Sequence, residues 1–349
     1  MLVPLLRYSL FDGPRPSLGS DATVWEAAVA EARREAVSAL FYDAVRRYCD
    51  EGGESPLPPA LLFRLASMAE TVGNDNLRRL RSLKDFAAKV YGALGVDTTV
   101  VKGFSVARHY PERMHRESGD NDVWFPPEVS LWVDELMRDE GVAVDTKDPR
   151  HSSFDYRGIC FENHRYLLYP RRVGDVGCDP RWQTVPLGSH VVALTPSHEA
   201  LFVASHIEHH AVFFDEPVRL RHLVDWALMV RQLDYGEFRE VKAPFEVSRF
   251  ADLLTQYCVR LFDIPAPEGW KPLSRRALEA FEPMFVQVPP RHRWAVVRVW
   301  RRTWKYIRYG RVYREIYGQS PIRRFYWNNV TQALAQFLSG THRESRTRD

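Results

Sequence analysis

Cysteine is scarce in this chain. There are four in 349 residues, Cys49, Cys160, Cys178 and Cys258, and none forms a Cys-x-x-Cys pair. That spacing excludes both the dense disulfide framework of a small secreted scaffold and a zinc ribbon. Also missing is any run of the roughly 18–20 uninterrupted apolar residues that a membrane-crossing helix needs. The opening MLVPLLRYSLFDG has one short apolar patch, broken by Pro4 and closed by Arg7, too brief for the apolar region of a signal peptide. There is no internal repeat and no low-complexity tract. With apolar residues at 45% and charged residues at 27%, a disordered or fibrous chain is excluded. A cytoplasmic protein is expected.

Aromatic residues, by contrast, are plentiful at 13%, with ten Trp, and supply material for a sizeable core. The length suits one large domain or two to three smaller ones. The net charge of +3 conceals an uneven distribution: between Arg291 and Arg324 there are eleven Lys or Arg against the single acid Glu315, leaving a net −7 on the rest. In that segment bases interleave with Trp and Tyr, and Val297, Trp300, Trp304 and Ile307 form one apolar helical stripe. It reads either as a terminal helix docked by its Trp face on the acidic body, or as a contact for an anionic partner: nucleic acid, membrane surface or acidic protein.

Three regions follow from hydrophobic periodicity. Residues 1–95 read as helical, with a loop at Gly52–Pro59 and a long amphipathic helix stopping at Gly95. Residues 96–190 form an α/β core, with strands at Val96–Gly103 and Asp122–Phe125, a helix at Ser130–Gly141 and a hairpin around Gly158. Residues 191–349 return to helix from Thr195-Pro196 onward, with segments near 197–214, 219–232, 247–262, 274–281 and 291–309, and end in the basic aromatic tail. The fold class is α+β, a small mixed sheet flanked by N-terminal and C-terminal helices.

The chemistry concentrates in KGFSVARHYPERMHRESGDNDVWF. On a strand Asp120 and Asp122 project to one face, roughly 6–7 Å apart along the chain. Two such carboxylates repel unless a cation lies between them, and a hard divalent ion such as Mg²⁺ resolves the conflict. Lys102-Gly103 closes the preceding strand, where glycine lets a phosphate approach the backbone and Lys adds charge. Arg116 stands four residues before Asp120, placed to orient a carboxylate or contact a phosphate. A third acid, Glu162, lies inside the apolar run ICFENHRYLL, where an unpaired carboxylate is costly to bury; it is either the third member of the site or an exposed edge-strand residue.

These residues carry a resemblance. The run through Lys102-Gly103, Tyr110-Pro111, Arg116 and Gly119-Asp120-Asn121-Asp122, then Glu162-Asn163-His164, Thr195-Pro196 with His206 and His210, and finally Arg221 and Asp225, resembles the uncharacterised nucleotidyltransferase family of the DNA polymerase β superfamily over about residues 76–230. The resemblance implies a nucleotidyltransferase fold with Asp120 and Asp122 as paired metal ligands and Glu162 as the third acid, also able to serve as base for an attacking hydroxyl. It implies two Mg²⁺ ions, or Mn²⁺ in their place, with a nucleoside triphosphate as co-substrate and a hydroxyl of a small molecule or protein as acceptor. Lys102, Gly103, Ser105 and Arg116 are the expected phosphate contacts. Three features depart from the wider superfamily: Phe104 follows Lys102-Gly103 and the nearest hydroxyl is Ser105, Glu replaces the more common Asp as third acid, and Asn121 replaces the apolar residue between the two acids and requires a hydrogen bond if buried.

His206 and His210, one helical turn apart, are compatible with a transition-metal pair, but packing against the helix of Arg221 and Asp225 is the expected arrangement. His164, two residues from Glu162, shares its strand face and is able to approach the site, but packing is the expected role. The alternative to catalysis is a non-catalytic protein of the same fold that binds a nucleotide or partner and docks through its basic segment. A third reading, nucleic-acid modification, requires a basic path from Arg291–Arg324 to the carboxylates. Catalysis requires Glu162 to meet Asp120 and Asp122.

Overall fold

The computed structural model describes residues 1–282 except 53, 149, 169–180, 214–217 and 246, together with 310 and 314. The expected helix at 291–309 and the basic aromatic segment lie outside these residues except for Gly310 and Arg314.

Three amphipathic helices come first, α1 (Leu2–Leu10), α2 (Ala22–Arg34) and α3 (Ser38–Asp50), followed by the long α4 (Pro59–Leu94). Pro4 does not prevent α1, because a proline in the first turn removes an N–H that has no intrahelical partner. Helix α4 ends where expected: Gly95 adopts φ +68°, a left-handed cap that glycine reaches without steric cost. Among the described residues no helix is long and apolar enough to cross a membrane.

Among the described residues the middle of the chain builds a seven-stranded mixed sheet. Strand β1 (Thr98–Val100) leads into the short helix α5 (Gly103–Ala107); β2 (Asn121–Trp124) leads into α6 (Pro127–Asp139). A two-residue strand β3 (Val144–Asp145) precedes the hairpin of β4 (His151–Tyr156) and β5 (Ile159–His164), and the last pair is β6 (Thr184–Gly188) and β7 (Val191–Leu194). The spatial order is β3-β4-β5-β2-β1-β7-β6. Strand β1 is antiparallel to β2 and parallel to β7, while β2 runs parallel to β5 with Asp122 opposite Glu162.

One face of the sheet is apolar. Val123, Phe154 and Phe161 pack with Phe86 and Val90 of α4 and Val133 and Met137 of α6, and the Phe86 and Phe161 rings lie 4.7 Å apart. Asn121 belongs to this covered face and meets its requirement by donating to the Arg79 carbonyl of α4 at 3.1 Å. Since side chains alternate along a strand, Asp122, Glu162, His164 and His151 fall on the opposite face.

That opposite face looks toward α7 (Pro196–Glu208), whose Phe202 ring lies 6.4 Å from that of His164; the C-terminal helices continue with α8 (Leu220–Val230), α9 (Tyr235–Lys242), α10 (Ser248–Phe262) and α11 (Arg275–Phe281). Helix α7 gives way to a π-helical turn at His209–Phe213, shorter than the continuous helix expected to 214. The N-terminal and C-terminal helices share one core: Leu6, Trp25 and Phe41 are joined by Val203, Trp226, Phe250 and Phe262. Regions remote in sequence thus close on each other, with the sheet set against the shared helical body.

Candidate active site

The Asp122 carboxylate is buried, with its side chain only 2% exposed, and the local strand pairing explains its neighbours. The Val101 N–H donates to the Asp122 carbonyl at 3.0 Å, extending the β1–β2 ladder by one residue and leaving Lys102 beside the Asp122 side chain. The ammonium of Lys102 lies 2.5 Å from Asp122 Oδ1. Lys102 takes φ +53° and ψ −142°, a conformation that costs a residue with a Cβ about 1–3 kcal/mol. Gly103, at φ +34°, then begins α5. The chain accepts this strained turn at the point where a cation meets the buried acid.

Asp120 and Glu162 join from either side. Asp120 precedes β2, and Glu162 sits opposite Asp122 in the parallel register. One oxygen from each of Asp120, Asp122 and Glu162 lies within 4.8 Å of the others. The three acids therefore converge, and an all-oxygen donor set of this size fits a hard divalent cation.

The electrostatics reflect the crowding. The negative charge of Asp122, followed by burial, raises the Asp120 carboxyl to about 6. Burial alone opposes the Asp122 anion, but Lys102 and His164 outweigh it and hold that group well below the usual carboxylate range. A hydrogen bond with His164 lowers Glu162. The His164 imidazole is buried, which by itself disfavours its charge, yet Asp122 and Glu162 together raise it. His164 Nε2 donates to Asp122 Oδ1 at 2.9 Å and stands 3.4 Å from Glu162. The packing expected for His164 thus includes direct contact with two of the three acids.

The Asp120 shift has a measurable consequence for the metal-free protein. A carboxyl whose folded value exceeds the ordinary 3.8 binds its proton more tightly in the folded state. Its contribution is complete below about pH 4 and is lost as pH rises through 6. Asp120→Asn is expected to stabilise the chelated protein at pH 8 by at most about 2 kcal/mol, given the solvent screening of a partly exposed group. The gain should shrink toward zero by pH 4, as read by thermal denaturation in EDTA at the two pH values.

Arg116 and Ser105, expected beside the phosphates, have their polar atoms engaged elsewhere. The buried Arg116 guanidinium grips Asp225 of α8 with two bonds, 2.8 Å from Nε and 2.7 Å from Nη2, and donates to Ser118 at 2.9 Å. The Tyr110 hydroxyl donates to the same Asp225 carboxylate. The Ser105 hydroxyl donates to the buried Glu199 of α7, which also receives Arg108 at 2.8 Å and lies 2.9 Å from His109 Nε2. These contacts fasten the segment between β1 and β2 to the helical body.

His206 and His210 do pack against α8, with ring centroids 4.5 Å apart and His222 5.7 Å from His210. Burial depresses both His206 and His222 well below the ordinary imidazole value. A residue that sequence patterning did not single out is His151, whose Nε2 is 3.8 Å from Glu162. Its signal was the period-2 alternation of β4, which becomes informative only once His151 is aligned opposite His164.

A mixed sheet carrying three converging acids on one face, with a lysine at the adjoining strand-to-helix turn, is the arrangement of a nucleotidyl-transferring enzyme. A family model described as "Uncharacterised nucleotidyltransferase" matches residues 21–263, more than half of the chain, and the protein belongs to that family. No curated protein and no solved structure matches the chain.

Proposed function

We propose that this protein is a metal-dependent nucleotidyltransferase that moves a nucleoside monophosphate from a nucleoside triphosphate to a hydroxyl group, with pyrophosphate leaving. The observation carrying this reading is the convergence of Asp120, Asp122 and Glu162 within 4.8 Å on the sheet face that looks toward the helices. Those three residues would hold Mg²⁺ or Mn²⁺, which when bound neutralises charge on the phosphate oxygens and polarises the α-phosphorus. The protein's own groups do the rest. Lys102, held at the turn by Asp122, is within reach of an incoming triphosphate, and the backbone at Gly103 gives that phosphate room. Glu162, whose side chain is 27% exposed against 2% for Asp122, would accept the proton of the attacking hydroxyl. Attack forms the new oxygen–phosphorus bond as the bond to pyrophosphate breaks in line.

Arg116 and Ser105 act from behind in this scheme, fixing the two turns that present Asp120 and Lys102. The test is thermal denaturation of the full chain with each of the four common nucleoside triphosphates, with Mg²⁺ and with EDTA. A ligand at 100 times its Kd stabilises by about 2.7 kcal/mol. A shift of several degrees that needs both nucleotide and metal is expected. Equal melting temperatures under all conditions would remove the proposal.

A further inference from the structure

Glu162 belongs to two clusters. Besides the acid triad, it stands with His151 and His164 in a group whose ring nitrogens and carboxylate oxygen also lie within 4.8 Å of one another. The β4–β5 register creates this group: His151 is the cross-strand partner of His164, their ring centroids are 5.2 Å apart, and Glu162 lies two residues before His164 on the same face. The two imidazoles approach different oxygens of one carboxylate, His151 Nε2 at 3.8 Å from Oε1 and His164 Nε2 at 3.4 Å from Oε2.

Hydrogen bonding accounts for His164, whose Nε2 donates to Asp122 Oδ1 at 2.9 Å and would shed that proton on binding a metal, but it does not account for His151. A separation of 3.8 Å is too long for a hydrogen bond, so His151 faces Glu162 across a gap. On its other side, Asp148 stands 3.9 Å from His151 Nδ1, and Asp148 is itself held by Arg150 through Nε at 2.9 Å. At 3.9 Å this carboxylate is likewise beyond hydrogen-bond reach and supplies only a nearby negative charge to His151. Beneath the cluster, the cross-strand partners Ser152 and Asn163 both bond the buried Asp134 of α6, the latter at 2.8 Å, and this pins the two strands that carry the imidazoles. Mg²⁺ chemistry has no use for two nitrogen donors, whereas imidazole suits the divalent first-row transition metals.

We infer that His151, Glu162 and His164 form a transition-metal site, of the kind taken by Mn²⁺, Co²⁺ or Zn²⁺, that shares Glu162 with the all-oxygen site of Asp120 and Asp122. The sharing rests on the reading of the triad given above; the nitrogen-ligated site does not. The centre is then asymmetric, one position built for a hard cation and its neighbour for a softer one.

Pulsed electron paramagnetic resonance of the Mn²⁺-loaded full chain reads nitrogen ligands directly, and calorimetry with Zn²⁺ reads affinity. Nitrogen couplings from two imidazoles are expected in the wild type, reduced to one in His151→Ala and absent when His164→Ala is added. Zn²⁺ binding should weaken at least tenfold in His151→Ala. Should circular dichroism show that His151→Ala is unfolded, His151→Gln replaces it. Asp120→Asn should keep the nitrogen couplings, because its side chain belongs only to the oxygen site. Mn²⁺ bound to the Asp120→Asn protein without nitrogen coupling, or unchanged Zn²⁺ affinity in a folded His151 variant, overturns the inference. Nitrogen couplings in a protein that no triphosphate stabilises would uphold the metal site while removing the nucleotidyl-transfer reading.

Discussion

Asp122→Asn is expected to lower nucleotidyl transfer by on the order of 10³-fold or more and to abolish the Mg²⁺-dependent stabilisation by nucleotide, in a protein that remains folded. The substitution preserves shape and removes charge at the most buried acid of the site. Three consequences follow from its contacts. The oxygen donor set loses the carboxylate that Lys102 and His164 hold ionised. His164 loses one of the two acids that favour its charged form, and its value falls back. Asp120 is relieved of the repulsion that dominates its shift and ionises closer to the ordinary range. The first consequence removes function; the third offsets part of the cost of losing the Lys102–Asp122 ion pair, so the melting temperature should change little. Activity toward a hydroxyl acceptor, metal-dependent nucleotide binding and the pH dependence of stability should therefore move together. An Asp122→Asn protein that still binds nucleotide with Mg²⁺ as the wild type does would show that the acids are a structural charge cluster and that catalysis, if any, lies elsewhere.

The parts of this centre that were legible in the sequence are those fixed by local rules. Alternation places Asp120 and Asp122 on one face, Gly95 ends α4 through its left-handed φ, and Gly158 turns the β4–β5 hairpin. Glu162 was conspicuous because a carboxylate in an apolar strand needs a reason. What stayed hidden depends on pairing between distant segments. Strand β7 is only four residues long, and its parallel place beside β1 is set by packing, not by any turn signal. The significance of His151 exists only through its register with His164. Arg116 shows the same limit from the other direction: its place before Asp120 suggested a carboxylate or a phosphate at the site, and the carboxylate it binds is Asp225, 109 residues away. A short-range pattern identifies a charged residue near a site without identifying its counter-charge.

That buried pair yields the second large effect. Asp225→Ala leaves the Arg116 guanidinium, 5% exposed, with an unpaired charge, and loss of one member of such a pair costs about 3–5 kcal/mol. For a chain of this size the expected fall in melting temperature is on the order of 10 °C. The damage should reach the active site, because the segment leading into Asp120 is fastened at several points. Asn76 of α4 donates to the carbonyls of Met114 and Arg116 at 2.7 and 2.8 Å, Arg221 of α8 donates to the Glu117 carbonyl at 2.7 Å, and the Glu117 carboxylate accepts from the Ser38 N–H at 2.6 Å. Arg116→Met combined with Asp225→Leu removes both charges, and stability should recover by at least 2 kcal/mol relative to the sum of the single losses, since replacing both members of a buried pair is often close to neutral. Chemical denaturation of the wild type, Arg116→Met, Asp225→Leu and the double variant gives that coupling energy. If Arg116 were instead a direct phosphate ligand, Arg116→Met would weaken nucleotide binding while leaving the melting temperature intact. A positioning residue shows the reverse order, with stability lost first and nucleotide affinity restored in the double variant as Asp120 returns to its place.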